Sequence, residues 1–154
     1  RFCYWFNYVV PAGRVIAPIE SRGFLMAGAL LARKLVAGVV PVRKENKLPG
    51  PVIPFDASSE YGYRKLEVSK DHIAQLRPEG GELELLIVDD VLATGKTAKA
   101  VFEALNRESV LPRFSGKKAI KIKVVGFCFY AEIETLEGRK ELEKLAPVYS
   151  FIKI

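Results

Sequence analysis

In the stretch Leu86-Ile-Val-Asp-Asp-Val-Leu-Ala-Thr-Gly-Lys-Thr97 an apolar run meets two acids, a tight loop and the start of a helix. The run opens at Leu83 and closes at Val88, and its lack of alternation fits a strand buried on both faces of a parallel sheet. Past the loop, Ala98, Val101, Phe102 and Leu105 recur at i, i+3, i+4 and i+7, the spacing of an amphipathic helix. A helix start offers free N–H groups and the positive end of its dipole, so Ala93, Thr94, Gly95, Lys96 and Thr97 can form a backbone nest for a phosphate. Gly95 permits close approach of backbone to the anion, and the Thr94 and Thr97 hydroxyls add donors. Gly95-Lys96-Thr97 resembles the end of a nucleotide P-loop, but that motif needs a glycine where this chain has Asp90, five positions before Gly95. Asp89 and Asp90 place acceptors beside the nest, for a sugar diol or a metal-bound water; the alternative is two acids that simply open a turn.

Outward from this stretch, strand and helix patterns alternate. Val15 to Ile19 reads as a short strand, Phe24 to Leu35 as a helix rich in Ala and Leu, and Val39 to Val42 as a second strand. Ile120 to Tyr130 is a further strand, Leu136 to Leu145 a short amphipathic helix and Val148 to Ile152 a last strand. This order predicts an α/β fold with a mostly parallel central sheet and helices on both faces, with ligands bound at the carboxyl ends of the strands. Between Glu45 and Gln75, Pro49, Gly50, Pro51 and Pro54 precede a polar run, and only Leu66 to Val68 looks like strand. That segment is expected to be a long flexible lid loop over about residues 45–75.

The whole chain, 154 residues with 49% hydrophobic and 27% charged, fits a single domain over residues 1–154 and excludes a disordered or collagen-like protein. The longest greasy stretch, Phe24 to Val42, is interrupted by Arg33, Lys34 and Pro41, so no membrane association is expected. A net charge of +6 raises the question of nucleic acid, but Lys117, Lys118, Lys121 and Lys123 surround a strand start without interleaved aromatics and read as a solvated edge. Cys3 and Cys128 with the single His72 make neither a disulfide framework nor a zinc set, which points to a reducing, cytoplasmic setting. The start Arg-Phe-Cys-Tyr-Trp-Phe has no initiator Met and no signal-peptide layout, and a natural start upstream of residue 1 is expected. Phe2, Tyr4, Trp5 and Phe6 read as the end of a core-packing helix.

Two acids followed by a Thr-Gly-X-Thr turn resemble the 5-phosphoribosyl 1-pyrophosphate (PRPP) loop of the type I phosphoribosyltransferases. Ile19-Glu-Ser-Arg-Gly-Phe24, Val42-Arg-Lys-Glu-Asn-Lys-Leu-Pro-Gly50 and Glu60-Tyr-Gly62 with Leu66-Glu-Val narrow the resemblance to the adenine branch of that family. The resemblance implies a purine salvage transferase that makes AMP and pyrophosphate from adenine and PRPP with Mg²⁺, as a homodimer. It gives Ala93 to Thr97 the 5-phosphate, Asp89 and Asp90 the ribose hydroxyls, and Ser21, Arg22, Arg43, Lys44 and Lys47 the pyrophosphate. Mg²⁺ would be held mainly by PRPP and water, with no direct protein ligand. Glu60 is expected to manage the proton on the base and Tyr61 to pack or hydrogen-bond near the leaving group, both catalytic, on the lid; a cis peptide is expected at Glu20–Ser21. Two features depart from the family pattern: Lys96 stands where the adenine enzymes commonly have Gly, and no N-terminal hood for the base is recognisable in Arg1 to Ala12. The alternatives are a non-catalytic domain that binds PRPP or a nucleotide, and a transferase for another purine base.

Overall fold

Hydrophobic alternation sorts the chain into two sheets that share one end of the molecule. The structure is a computed structural model and describes residues 1–11, 14–59, 62–76, 79–110 and 118–154. Along the chain run α1 (Phe2–Val9), β1 (Val15–Pro18), α2 (Gly23–Ala32), β2 (Gly38–Val39), β3 (Val42–Lys44), β4 (Val52–Ser59) and β5 (Gly62–Ser69). There follow α3 (Lys70–Leu76), β6 (Glu82–Leu92), α4 (Lys96–Asn106), β7 (Ser109–Val110), β8 (Ile120–Glu132), α5 (Gly138–Leu142) and β9 (Val148–Lys153).

The larger sheet has the order β2-β1-β6-β8, and the far edge of β8 is shared between β7 and β9. All its pairings are parallel except β7 with β8. β6 sits at its centre because Leu83, Leu85, Leu86, Ile87 and Val88 are all buried and need cover on both faces. On one face Leu86 and Val88 join Ile16 and Cys128 under Phe6 of α1 and Met26, Ala27 and Leu30 of α2. On the other, Leu85 and Ile87 join Phe127 and Phe129 under Ala98, Val101 and Leu105 of α4, with Leu142 of α5. Phe2 and Trp5 of α1 pack near Phe151 and Tyr130, with ring centroids 5.5 to 5.8 Å apart, so Phe2, Trp5 and Phe6 pack as expected, whereas Tyr4, expected with them, points outward and is 72% exposed.

The segment expected to be an irregular lid is largely β-structure. β3, β5 and β4 form an antiparallel sheet in that order, and α3 follows it. β4 is an edge strand whose Ile53 and Ala57 are buried while Pro54, Asp56 and Ser58 face out, so Pro54 costs no central ladder bond. Prolines and polar outward residues masked this alternation in the sequence. Gly62 to Lys65 of β5 are exposed, whereas Leu66 to Ser69 are buried, so the far end of the hairpin stands clear of the body. The strand expected over Val39 to Val42 also divides: β2 ends in the large sheet, and β3 begins in the small one after Pro41. The C-terminal helix is shorter than its apolar spacing predicted, five residues from Gly138 to Leu142.

Leu105 is fully buried between α4 and the sheet, and Leu25 on α2 is 76% exposed. Urea unfolding of Leu105→Ala should lose about 2–5 kcal/mol, whereas Leu25→Ala should stay within about 0.5 kcal/mol of the parent.

Candidate active site

The end of β6 carries the loop that was read as a phosphate nest. Ala93 and Thr94 turn out of the strand, Gly95 takes the left-handed conformation at φ +77°, and α4 begins at Lys96. Its N-cap is Gly95, which has no side chain to cap the helix, and a helix start carries N–H groups without partners inside the helix. The loop rests on α5. A Cβ at Gly138 would fall inside the Ala93 carbonyl oxygen and lie 2.8 Å from the Thr94 carbonyl carbon. A Cβ at Gly95 would in turn meet Leu142 Cγ at 3.1 Å and Gly138 O at 3.2 Å.

What holds α5 there is an ion-pair network beside the loop. Arg139 Nε donates to the two carboxylate oxygens of Glu132 at 2.9 and 3.0 Å, and Nη2 donates to Glu132 Oε2 and Ser150 Oγ, each at 2.6 Å. Nη1 reaches the Val148 carbonyl at 2.8 Å and Glu143 at 2.9 Å. Ser150 Oγ donates to Glu132 Oε2 at 2.5 Å. The Arg139 hydrogen bonds outweigh burial and hold the Glu132 carboxyl below the usual range, with the Ser150 bond adding to that effect.

Asp89 and Asp90 are half-buried near the carboxyl end of β6, just before the buried Leu92. Asp90 N–H donates to Asp89 Oδ1 at 2.9 Å, and Arg22 Nε faces Asp90 Oδ2 at 2.9 Å. Burial pushes the Asp89 carboxyl up to about 7, with the Asp90 charge adding to the rise and the Asp90 N–H and Arg22 opposing it. Arg22 reaches this pair because α2 starts against the end of β6, an approach that needs Gly23: a Cβ there would lie 2.8 Å from Val88 O.

The turn before α2 contains the expected cis peptide between Glu20 and Ser21. Ile19 N–H donates to Val88 O and Glu20 N–H to Val42 O, each at 2.9 Å, so this turn joins the large sheet to the small one. Glu20 Oε2 accepts from Lys44 N–H at 2.9 Å and from Arg43 Nε at 3.2 Å. Burial alone would raise the Glu20 carboxyl; those two hydrogen bonds bring it below its ordinary value. Arg43 Nη1 also reaches the Lys47 carbonyl at 3.4 Å.

Thus Asp89, Asp90, Arg22 and the loop Ala93 to Thr97 gather at the end of β6, with Ser21 in the adjoining turn. Arg43 and Lys44 sit on β3, tied to that turn through Glu20, and Lys47 lies just beyond them. Glu60 and Tyr61 lie outside the described residues. Among the described residues no group of three or more His, Cys, Asp or Glu side chains could hold a metal ion, and no helix is long and apolar enough to cross a membrane. Cys128 is fully buried, its thiol pushed up to about 12 by burial, and His72 is exposed on α3. The sequence reading missed Glu20, Glu132, Gly138 and Arg139 as shapers of the site. Glu20 and Gly138-Arg139 sit next to turns, but nothing local reveals that they brace a loop far away in sequence.

Paired acids at the end of a central parallel strand, followed by an uncapped helix start and flanked by basic side chains, define a protein built to bind a phosphorylated sugar. Residues 9–151 match the phosphoribosyl transferase domain, and the chain belongs to that family. It is 38% identical over 139 residues to the adenine phosphoribosyltransferase of Wolinella succinogenes, a match that covers 90% of this chain and 67% of that one. Adenine phosphoribosyltransferase from Thermoanaerobacter pseudethanolicus superposes with a TM-score of 0.72 at 30% identity, covering 98% of this chain and 76% of that one. The Giardia lamblia enzyme, solved with 9-deazaadenine, gives a TM-score of 0.70 at 32% identity, covering 99% and 75%.

Gly138→Ala should push the Ala93–Gly95 turn out of place at a stability cost of about 1–3 kcal/mol, and AMP binding measured by calorimetry should weaken about tenfold or more while the far-ultraviolet spectrum is kept. A raised Asp89 pKa makes the folded state hold a proton that the unfolded state has released. The Asp89 contribution is therefore fully present below about pH 4 and is lost as pH rises toward 7. Urea unfolding of the unliganded protein at pH 5 and pH 8 should show about 2 kcal/mol more loss on going to pH 8 than the same comparison in Asp89→Asn.

Proposed function

We propose that this chain transfers the ribose 5-phosphate of PRPP to adenine, forming AMP and releasing pyrophosphate. One observation carries the reading: Asp89 and Asp90, with Arg22 2.9 Å from Asp90, lie just before a helix start whose N-cap, Gly95, is left-handed. The adenine phosphoribosyltransferases among its relatives supply the same reading for the base.

In this reading the N–H groups of Ala93 to Thr97 hold the 5-phosphate, and Asp89 and Asp90 accept from the ribose hydroxyls. Ser21, Arg22, Arg43, Lys44 and Lys47 serve the pyrophosphate. Charge-assisted contacts of this kind contribute on the order of 1.5–3 kcal/mol each, and they grow in importance as charge builds on the departing group. Displacement at the anomeric carbon passes through oxocarbenium character, so holding base and sugar together in a dry site lowers the barrier by several kcal/mol. Glu60 would take the proton from the base nitrogen, and Tyr61 would pack over the leaving group. Asp89 and Asp90 are the acids near the carboxyl end of β6, and Asp90 already faces Arg22, while Glu20 is engaged by Arg43 and the Lys44 N–H; this set would suit a metal ion brought in by the substrate's phosphates. Mg²⁺ bound in this way would neutralise pyrophosphate charge. With it come the family's expectations of a homodimer working in the cytoplasm.

The test is AMP formation from adenine, PRPP and Mg²⁺, with hypoxanthine and guanine in parallel and Asp90→Asn as control. Turnover of adenine alone, reduced about 100-fold or more in the variant through loss of the ribose contact, is the expected result. Tight PRPP binding with no turnover of any base would replace the transferase with a PRPP-binding domain.

A further inference from the structure

Glu67 lies on β5 between Leu66 and Val68, and all three are buried, Glu67 to 5% exposure. A carboxylate in that position is costly unless its oxygens are satisfied. Glu67 Oε1 accepts from the N–H groups of Lys47 and Leu48, each at 2.8 Å, and Oε2 accepts from Asn46 N–H at 3.1 Å. Three successive backbone N–H groups thus converge on one side chain, an arrangement that fixes a turn as firmly as a bound anion would. Asn46 stands in the left-handed region at φ +62°, a conformation that asparagine adopts more readily than most residues, so the chain reverses there and brings the next N–H groups to the same carboxylate.

We infer that Glu67 is a positioning residue for the pyrophosphate half of the site, acting through Lys47. The inference rests on the proposed function, which gives Lys47 to the pyrophosphate. Both backbone groups of Lys47 are held: its N–H by Glu67 and its carbonyl by Arg43 Nη1 at 3.4 Å. Arg43 is the register partner of Glu67 across β3 and β5, and its Nε is fixed by Glu20. The exposed Lys47 side chain therefore departs from a backbone with little freedom, and the entropy of ordering that turn is met on folding rather than on ligand binding. An apolar residue at position 67 would suit the buried strand better, but it would leave three N–H groups of the turn without this acceptor.

The test compares Glu67→Gln, Lys47→Gln and the double variant. Its readouts are calorimetric binding of magnesium pyrophosphate and of AMP, with KM for PRPP and for adenine. A glutamine keeps one acceptor oxygen and turns a donor toward the turn, so Glu67→Gln should weaken pyrophosphate and raise KM for PRPP about tenfold, with AMP affinity and KM for adenine held within about twofold. In the double variant the loss should be no greater than in the worse single one, because both substitutions remove the same oriented cation. Parallel losses of AMP and pyrophosphate in Glu67→Gln, or losses that multiply in the double variant, would overturn the inference, as would unchanged pyrophosphate binding. If Glu67→Gln does not fold, Glu67→Asp, which retains the charge but retracts it, carries the same comparison. A parent protein that binds AMP but not pyrophosphate would sink the site reading itself, an outcome distinct from a pyrophosphate-binding parent that is indifferent to residue 67.

Discussion

Two backbone hydrogen bonds at the end of β1 organise the molecule. Ile19 N–H closes onto Val88 O, the last apolar carbonyl before the paired acids, and Glu20 N–H closes onto Val42 O, the last before Arg43 and Lys44. A strand buried on both faces has to release its chain at its carboxyl end, and here three strand ends are released within reach of one another. The acids of β6, the basic residues of β3 and the Arg22 turn are neighbours because β1 is hydrogen-bonded to both sheets.

Carboxylates then divide the work at this end. Glu20, Glu67 and Glu132 are satisfied within the protein, by Arg43 and the Lys44 N–H, by the N–H groups of residues 46 to 48, and by Arg139 with Ser150. Their charges are spent on shape. Asp89 and Asp90 are different: burial raises Asp89, and the pair lies close in sequence to a helix start whose N-cap is a glycine. Their charge is not locked into the scaffold in that way, since Asp90 meets only the largely exposed Arg22 and Asp89 accepts the Asp90 N–H.

The loop between β6 and α4 shows how little room this end of the molecule leaves. Its turn lies directly on Gly138, and its left-handed Gly95 packs on Leu142. The short helix that carries both residues has one buried leucine as its apolar anchor and depends on the Arg139 network to stay in place. A surface helix near the chain end is thereby tied to the shape of a loop some forty residues earlier.

The sequence by itself determined what depends on local period and residue type. The apolar run of β6, the amphipathic spacing of α4, the acids, the glycine at the helix start and the Ser-Arg-Gly turn were all legible, and with them the mostly parallel sheet and the tight loop between β6 and α4. Glu60 and Tyr61 were suggested by resemblance alone, because an isolated acid and an isolated aromatic carry no periodic signal. The tertiary structure alone decided that residues 52–69 pair as a hairpin, since prolines and outward polar side chains hide a strand until an edge position accommodates them. It alone decided that Glu67 faces three N–H groups and that Gly138 lies under the loop. Those contacts join residues about twenty and forty-five positions apart, and such pairings follow from how sheets and helices close on one another rather than from any pattern along the chain.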